Sequence, residues 1–511
     1  MIDPRTPVLI GAGQVTYRKG SAPGPRVMIK DAADRAAEDA GLSTGALARI
    51  DLLAVVGFTI DAGGPTGKLP IPRLSDPPAT LAQDLGAAPK RAIYTHMGGN
   101  TPQQLVNFAA EEIAAGRHDF ALLTGAEFFG TLLKLFKAGQ DVSHFGGGVA
   151  GTPERFGDGR AGESEQEAAH GCEFPANVYP MFENAVRAHR GRSLDEHIMA
   201  MARLFSPLSA VAAKNPFAWF PTFRPPEEIA TDGPDNRMVG FPYTKYMNAV
   251  IQVDQAAAVI VCSSEKADAL GVPKDRRIYL HGCGEATERW NVLDRVNYHS
   301  SPAIRIAARE AFKQAGLGVD DMALFDLYSC FPVAVEMACQ ELGLKEDDPR
   351  GLTVTGGLPY FGGPGNNYVM HSIAEMVWRL RDRPGDYGLV TANGMHLTKQ
   401  AVGVYSAIPP KALFARRPVK EYQTEIDTLA SPEIVVEPSG QATIETYTVI
   451  WGRDKVRMGI IVGRDAQGRR FIANTPEDEG LLLDLQSKEG VGRAGVVESF
   501  GGGRRNVFTP R

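Results

Sequence analysis

The sequence predicts an α/β fold made of two similar strand–helix series, split by a long insertion and followed by a small, mostly β unit. Three observations carry this. Short apolar runs alternate with helical stretches over residues 8–125, and again over residues 278–406. Residues 128–247, between the two series, are rich in Gly, Pro, Phe and His. Beyond Pro409-Pro410 the apolar period becomes two: Thr443, Glu445, Tyr447 and Val449 alternate with Ile444, Thr446, Thr448 and Ile450. Strands alternating with helices imply a largely parallel sheet covered by helices, whereas a period of two implies strands with one face buried.

In chain order, residues 8–12 read as a buried strand running into Gly11 and Gly13, and residues 27–40 as an Ala-rich helix. Residues 52–56 and 93–97 are strands. Residues 101–115 form a helix, with Pro102 at an early position where its missing N–H costs little. Residues 120–124 are a strand closed by Gly125. The second series offers strands at 278–282, 324–327, 387–391 and 402–406, and helices at 303–315, 332–342 and 372–380. In the insertion, Asn215-Pro216 and Arg224-Pro225-Pro226 interrupt regular structure, so a loop region that walls a pocket is expected. The last unit offers strands at 441–450, 456–462 and 470–473 and no helical alternation. The division that follows is 1–127 with 248–265, an insertion at 128–247, a second half at 266–410, and an added unit at 411–511.

Composition narrows the function. Of 511 residues 43% are hydrophobic, enough for a large core, and the net charge of -6 leaves no basic excess for nucleic acid. No apolar run approaches the ~20 residues of a membrane span, and no secretory leader is read at the start. Cys172, Cys262, Cys283, Cys330 and Cys339 are scattered and form no CxxC pair. A reducing cytoplasm suits them, and no metal ligand set is read from the spacing.

Several segments resemble the thiolase superfamily. Gly99-Asn100-Thr101-Pro102, the helix after it, and Asp119 through Glu127 resemble the thiolase segment that carries the nucleophilic cysteine. Asp254-Gln255-Ala256-Ala257-Ala258 resembles the Asp-Gly-Ala-Ala-Ala block, and Gly356 through Gly365 resembles the Gly-Gly-x4-Gly-His-Pro motif. The resemblance covers roughly the first four-fifths of the chain. It implies a duplicated five-layer αβαβα core. It also maps the reactive positions onto Gly99 (nucleophile), Gly363 (histidine), Ser329 within Tyr328-Ser329-Cys330-Phe331, and Asn393 (second cysteine), so each reactive residue is replaced. An absent reactive set and an added C-terminal β domain are features of thiolase-like proteins of type 1, which this chain resembles. Residues 439–476 also resemble OB-fold accessory domains.

Candidate chemistry follows from those loops. Cys330 is a substitute nucleophile or a buried apolar residue. Tyr328 and Tyr360 are an acid–base pair or packed aromatics, and His396 and His371 are possible bases. Asn393 takes the second-cysteine position. Gly98, Gly99 and Asn100, with Gly362 and Gly363, form a ligand-binding turn or simply a tight one. The expected function is binding of an acyl-CoA or related thioester without thiolase turnover, with no tightly bound cofactor. The alternatives are a retro-aldol lyase of a β-hydroxyacyl-CoA, and a non-catalytic scaffold whose C-terminal unit meets a protein partner. Thiolases dimerise through the sheet edge beside the nucleophile strand. With polar Thr95 and His96 on that strand here, either a monomer or a homodimer is expected.

Overall fold

A computed structural model describes residues 2–18, 21–62 and 69–511. The first half comprises β1 (Pro7–Thr16), α1 (Pro25–Asp39), β2 (Leu52–Val55), α2 (Pro77–Leu85), β3 (Arg91–Thr95), α3 (Thr101–Ala114), β4 (Phe120–Phe128) and, after the insertion, β5 (Asp254–Ser263). The second half comprises β6 (Ile278–Thr287), α6 (Pro302–Ala315), β7 (Met322–Asp326), α7 (Pro332–Leu342), α8 (Tyr368–Asp382), β8 (Tyr387–Gly394) and β9 (Lys399–Ser406); α4 and α5 belong to the insertion.

The strands run in the order β7-β8-β9-β6-β1-β5-β4-β2-β3, with a short strand, Glu154–Phe156, beyond β3. Reading outward from the β1–β6 junction, both halves repeat one pattern. β5 is antiparallel to β1 and to β4, and β9 is antiparallel to β6 and to β8, while β4–β2 and β8–β7 are parallel. The duplication is therefore topological. The expectation of a largely parallel sheet is corrected to a mixed one. β8 and β9 are joined as a hairpin, and in the first half the same connection carries residues 129–253.

A pair of glycines marks each half. A β-carbon at Gly11 or Gly13 would lie 2.1 or 2.3 Å from a carbonyl oxygen of α1, and one at Gly282 or Gly284 would lie 2.0 or 1.9 Å from a carbonyl oxygen of α6. Only glycine lets β1 and β6 press this closely on their outer helices. Residues alternate along β1: Val8 and Ile10 pack outward with α1, whereas Leu9 and Ala12 join the inner core with α3. α3 is buried along most of its length, its Ala109 and Ala110 are fully enclosed, and with α8 it fills the middle layer. This is the five-layer αβαβα arrangement.

The insertion differs from the expected loop region. It contains α4 (Pro175–His189) and α5 (Leu194–Ala212), with shorter helices at Phe129–Lys137, Glu165–Ala169 and Pro226–Ala230. Ser193 and Glu196 make a capping box that starts α5. Pro175 stands in the first turn of α4, and the Ala176 carbonyl left free by Pro180 faces Gly240.

Beyond a helix at Val419–Asp427, which packs on β6, lies a closed five-stranded barrel. Its strands are β10 (Gly440–Trp451), β11 (Val456–Asp465), β12 (Arg470–Asn474), β13 (Ala494–Phe500) and β14 (Arg505–Pro510), ordered β10-β11-β12-β14-β13 with β13 returning to β10. α9 (Glu479–Ser487) lies between β12 and β13, where no helix was expected. The barrel is OB-like. The insertion's Met238–Gly240 strand pairs with β10 at Ile450. No helix among the described residues is long and apolar enough to cross a membrane.

Candidate functional site

A cavity of about 350 Å³ opens where α3 begins. Gly98, Gly99, Tyr328, Cys330, Gly363 and Asn393 all line it, although they come from four separate segments. The insertion supplies Phe174, Pro175, Ala176 and Tyr179 to its wall. Among the described residues no Asp, Glu, Lys, Arg or His lines it, and at its mouth Phe174 and Ile251 are 49% and 52% exposed.

The turn before α3 is tied down by two side chains, Asn366 and Lys399, each of which also holds a second segment. Gly98 N–H donates to Asn366 Oδ1 (2.9 Å), Asn366 Nδ2 donates to Gly57 O (2.7 Å), and Lys399 Nζ donates to Met97 O and Asp158 O (2.8 Å each). A β-carbon at Gly99 would stand 2.4 Å from the Tyr328 hydroxyl oxygen and 2.6 Å from Asn393 O. The space beside Gly99 is thus taken by a phenol from the other half of the core. At Gly363 the nearest atoms to such a carbon are 3.3–3.5 Å away, so a side chain there would meet ordinary or slightly tight contacts.

Tyr328 is held by its backbone N–H, which donates to Thr391 Oγ1 (2.9 Å), and by edge-on packing against Tyr368. Burial first, then the neighbouring Cys330, pushes its phenol well above the ordinary range, so it stays protonated. Cys330 ends the segment before α7. Burial pushes its thiol up to about 12, so it is not a thiolate at neutral pH.

Tyr179 is the residue the sequence did not disclose. Its hydroxyl accepts from Asn393 Nδ2 (2.8 Å) and Leu397 N–H (3.2 Å) and donates to Met395 O (2.9 Å), and its ring stacks on Phe331 at 4.4 Å. Met395 and Leu397 are the two non-glycine residues with positive φ among the described residues, both at 58°. That conformation is uncommon for such side chains, and one phenol from the insertion fastens both. Gln400 Nε2 holds Asn393 Oδ1 (3.1 Å), so the Asn393 amide is oriented by two partners. Asn248, also missed, lines the cavity with a buried Oδ1 that has no partner among the described residues.

The remaining sequence candidates lie off the cavity. Tyr360 is buried against Phe205 and its hydroxyl has no partner among the described residues. Its position on a motif loop does not turn its ring toward Gly99, so the pairing of Tyr328 with Tyr360 as acid and base is corrected. His396 is buried, and burial pushes it down to about 4. His371 packs inside α8 against Gln14 Oε1 (2.7 Å), and burial pushes it down to about 3. Neither reaches the cavity as a base. Ser329 Oγ accepts from Leu358 N–H (3.4 Å), beneath the wall. The Asn100 amide turns toward Gly394, and Gly362 adopts φ +112 against Gln255, so neither lines the space.

A duplicated α/β core with an OB-like barrel appended, and a cavity at the start of the central helix, defines a thiolase-like protein. Residues 421–501 match the family described as thiolase-like protein type 1 additional C-terminal domain. The crystal structure of a monomeric SCP2-thiolase like protein type 1 from Mycobacterium smegmatis is 37% identical, covers 99% of both chains and superposes with a TM-score of 0.84. The chain belongs to this SCP2-thiolase-like type 1 family. An acetyl-CoA acetyltransferase of Methanocaldococcus jannaschii is 26% identical over 238 residues, which cover 43% of this chain and 58% of that protein. The chain thus spans about three-fifths of the length of the curated relatives it matches. An Ltp2-ChsH2(DUF35) aldolase structure shares the fold, with 19% identity, 79% and 98% of the two chains covered, and a TM-score of 0.56.

Proposed function

We propose that the chain binds an acyl-CoA or related thioester in the cavity at Gly99 and does not turn it over by cysteine-based thiolase chemistry. The Tyr328 hydroxyl beside Gly99 carries this reading: it occupies the place from which a nucleophile would act, and as a protonated phenol it can donate a hydrogen bond to a thioester carbonyl. The uncharged lining favours the neutral, apolar part of such a ligand, because a free carboxylate would be desolvated there without a partner. The Phe174 and Ile251 rim suits an acyl chain that leaves the mouth. A thermal-shift series with CoA, acetyl-CoA and longer acyl-CoAs tests it, since ligands of the folded state raise Tm. The shift should grow with chain length and shrink for Phe174→Asp. Equal, null shifts across the series would refute it.

A second reading is a retro-aldol lyase. Tyr328 supports its acid half, as a phenol able to protonate the enolate left on the thioester when the Cα–Cβ bond breaks. Among the described residues the lining offers no carboxylate or imidazole to take the β-hydroxyl proton, so the first reading is preferred. Loss of a measured lyase rate in Tyr328→Phe, with binding retained, would reverse that preference.

A further inference from the structure

Away from the cavity, Glu183 of α4, His197 of α5 and Glu336 of α7 meet where the insertion crosses the second half. All three are fully buried, and one ligand-capable atom from each lies within 4.8 Å of the others. His197 Nε2 is 2.6 Å from Glu183 Oε1, and the Tyr243 hydroxyl donates to Glu183 Oε2 at 2.6 Å. Arg190 Nη1 donates both to Glu336 Oε2 (2.7 Å) and to Glu346 Oε1 (2.6 Å). Glu336 Oε1 is buried with no partner among the described residues.

The charges do not balance at close range. Glu183, Glu336 and Glu346, three carboxylates, face two guanidiniums, Arg190 and Arg192, the latter 3.8 Å from Glu346, while Arg187 is taken up by Glu489. Buried carboxylates without compensation are costly, and burial drives both Glu183 and Glu336 upward in pKa. Either a proton or a cation must make up the deficit. An imidazole with two carboxylates is a donor set for zinc, which takes three protein ligands and one water in tetrahedral geometry. Tyr243 would then orient Glu183 from behind.

We propose that Glu183, His197 and Glu336 bind one divalent transition-metal ion, with zinc the fitting choice, and that the ion fastens α4 and α5 to α7. The His197–Glu183 contact opens to the ~3.3 Å spacing of ligands on such an ion. Arg192, 3.4 Å from His197 Nδ1 and one-third exposed, turns toward Glu346. α4 begins in the cavity wall and α7 begins directly after Cys330 and Phe331, so the ion would hold together two elements that shape the cavity. Sequence spacing could not show this, because the ligands come from three helices and form no short motif.

The test uses the full chain, stripped with EDTA and then given Zn²⁺, with Mg²⁺ as the control. One zinc per chain by elemental analysis is expected, with a Tm rise of about 2–3 °C at a hundredfold excess over Kd. Co²⁺ in its place should give visible absorption bands. His197→Ala and Glu336→Gln should each abolish uptake, and the wild-type measurement decides alone if a variant does not fold. Wild-type protein that takes up no zinc and shows no Tm response overturns the proposal, as does undiminished binding by His197→Ala. A Tm that rises only with acidification, without metal uptake, assigns the site to a shared proton and also overturns it.

Discussion

A β-carbon at Gly99 would lie 2.4 Å from the Tyr328 hydroxyl oxygen, so the character of the cavity turns on two side chains, one absent and one present. Gly99→Cys should therefore not restore thiolysis. It should cost about 1–3 kcal/mol of stability by overpacking, measured by denaturant unfolding beside an acetoacetyl-CoA cleavage assay. A stable and thiolytic variant would contradict the placement of Tyr328. At this scale the sequence was partly readable. Motif order brought Gly99, Gly363, Cys330 and Asn393 to one end of the core, and there they line one cavity. Side-chain direction was not readable: Tyr328 and Tyr360 both sit on motif loops of the second half, yet of the two Tyr328 lines the cavity. Tyr179 carried no signal, because its role depends on the positive φ of Met395 and Leu397, which no residue type announces.

At the scale of elements, the edge of β3 is covered. Glu154–Phe156 pairs with it in parallel, opposite Ile93, Tyr94 and Thr95, and Arg91 pairs with Glu154. The strand that ends the sheet is thus only three residues long and carries Glu154 and Arg155, a short, charged edge that disfavours pairing with a second chain. The chain is expected to be monomeric, and light scattering coupled to gel filtration checks this; a stable dimer would show that another surface carries association. The strand–helix alternation in both halves was legible because buried strands and amphipathic helices write distinct periods. The insertion's helices were not. Pro180 and Pro207 lie inside α4 and α5, and tertiary packing overrides their usual disruption. The mixed direction of the sheet was also hidden, because β5 pairs antiparallel only after residues 129–253 have intervened.

At the scale of the whole molecule, the barrel is bolted to the core by a buried arginine. Arg470 donates to Leu293 O (2.7 Å) and to Arg295 O, pairs with Glu445 at 2.5 Å and lies over the Tyr298 ring. Arg470→Ala should cost about 1–3 kcal/mol, since it leaves the Leu293 and Arg295 carbonyls without their buried donor, while Glu445 keeps Arg464. Separate melting of barrel and core by calorimetry would be its signature, and an unchanged single transition would contradict the anchoring role. Acid–base linkage also acts on the whole fold. Glu127, buried at the end of β4, has its carboxyl pushed up to about 7 by burial. Its folded value exceeds the unfolded ~4.3, so its contribution is fully present below that pH and is lost as pH rises through 7. Glu127→Gln should therefore remove about 2–3 kcal/mol of the stability loss between pH 5 and pH 8. Parallel pH–stability curves for variant and wild type would show that Glu127 is already ionised when folded.

Native mass spectrometry of the chain incubated with acetoacetyl-CoA tests the central claim most directly. Binding without cysteine-based turnover predicts a non-covalent complex carrying the intact thioester and no acetyl adduct on the chain. An acetylated chain, with the adduct on Cys330 or elsewhere, or the absence of any complex, would contradict it.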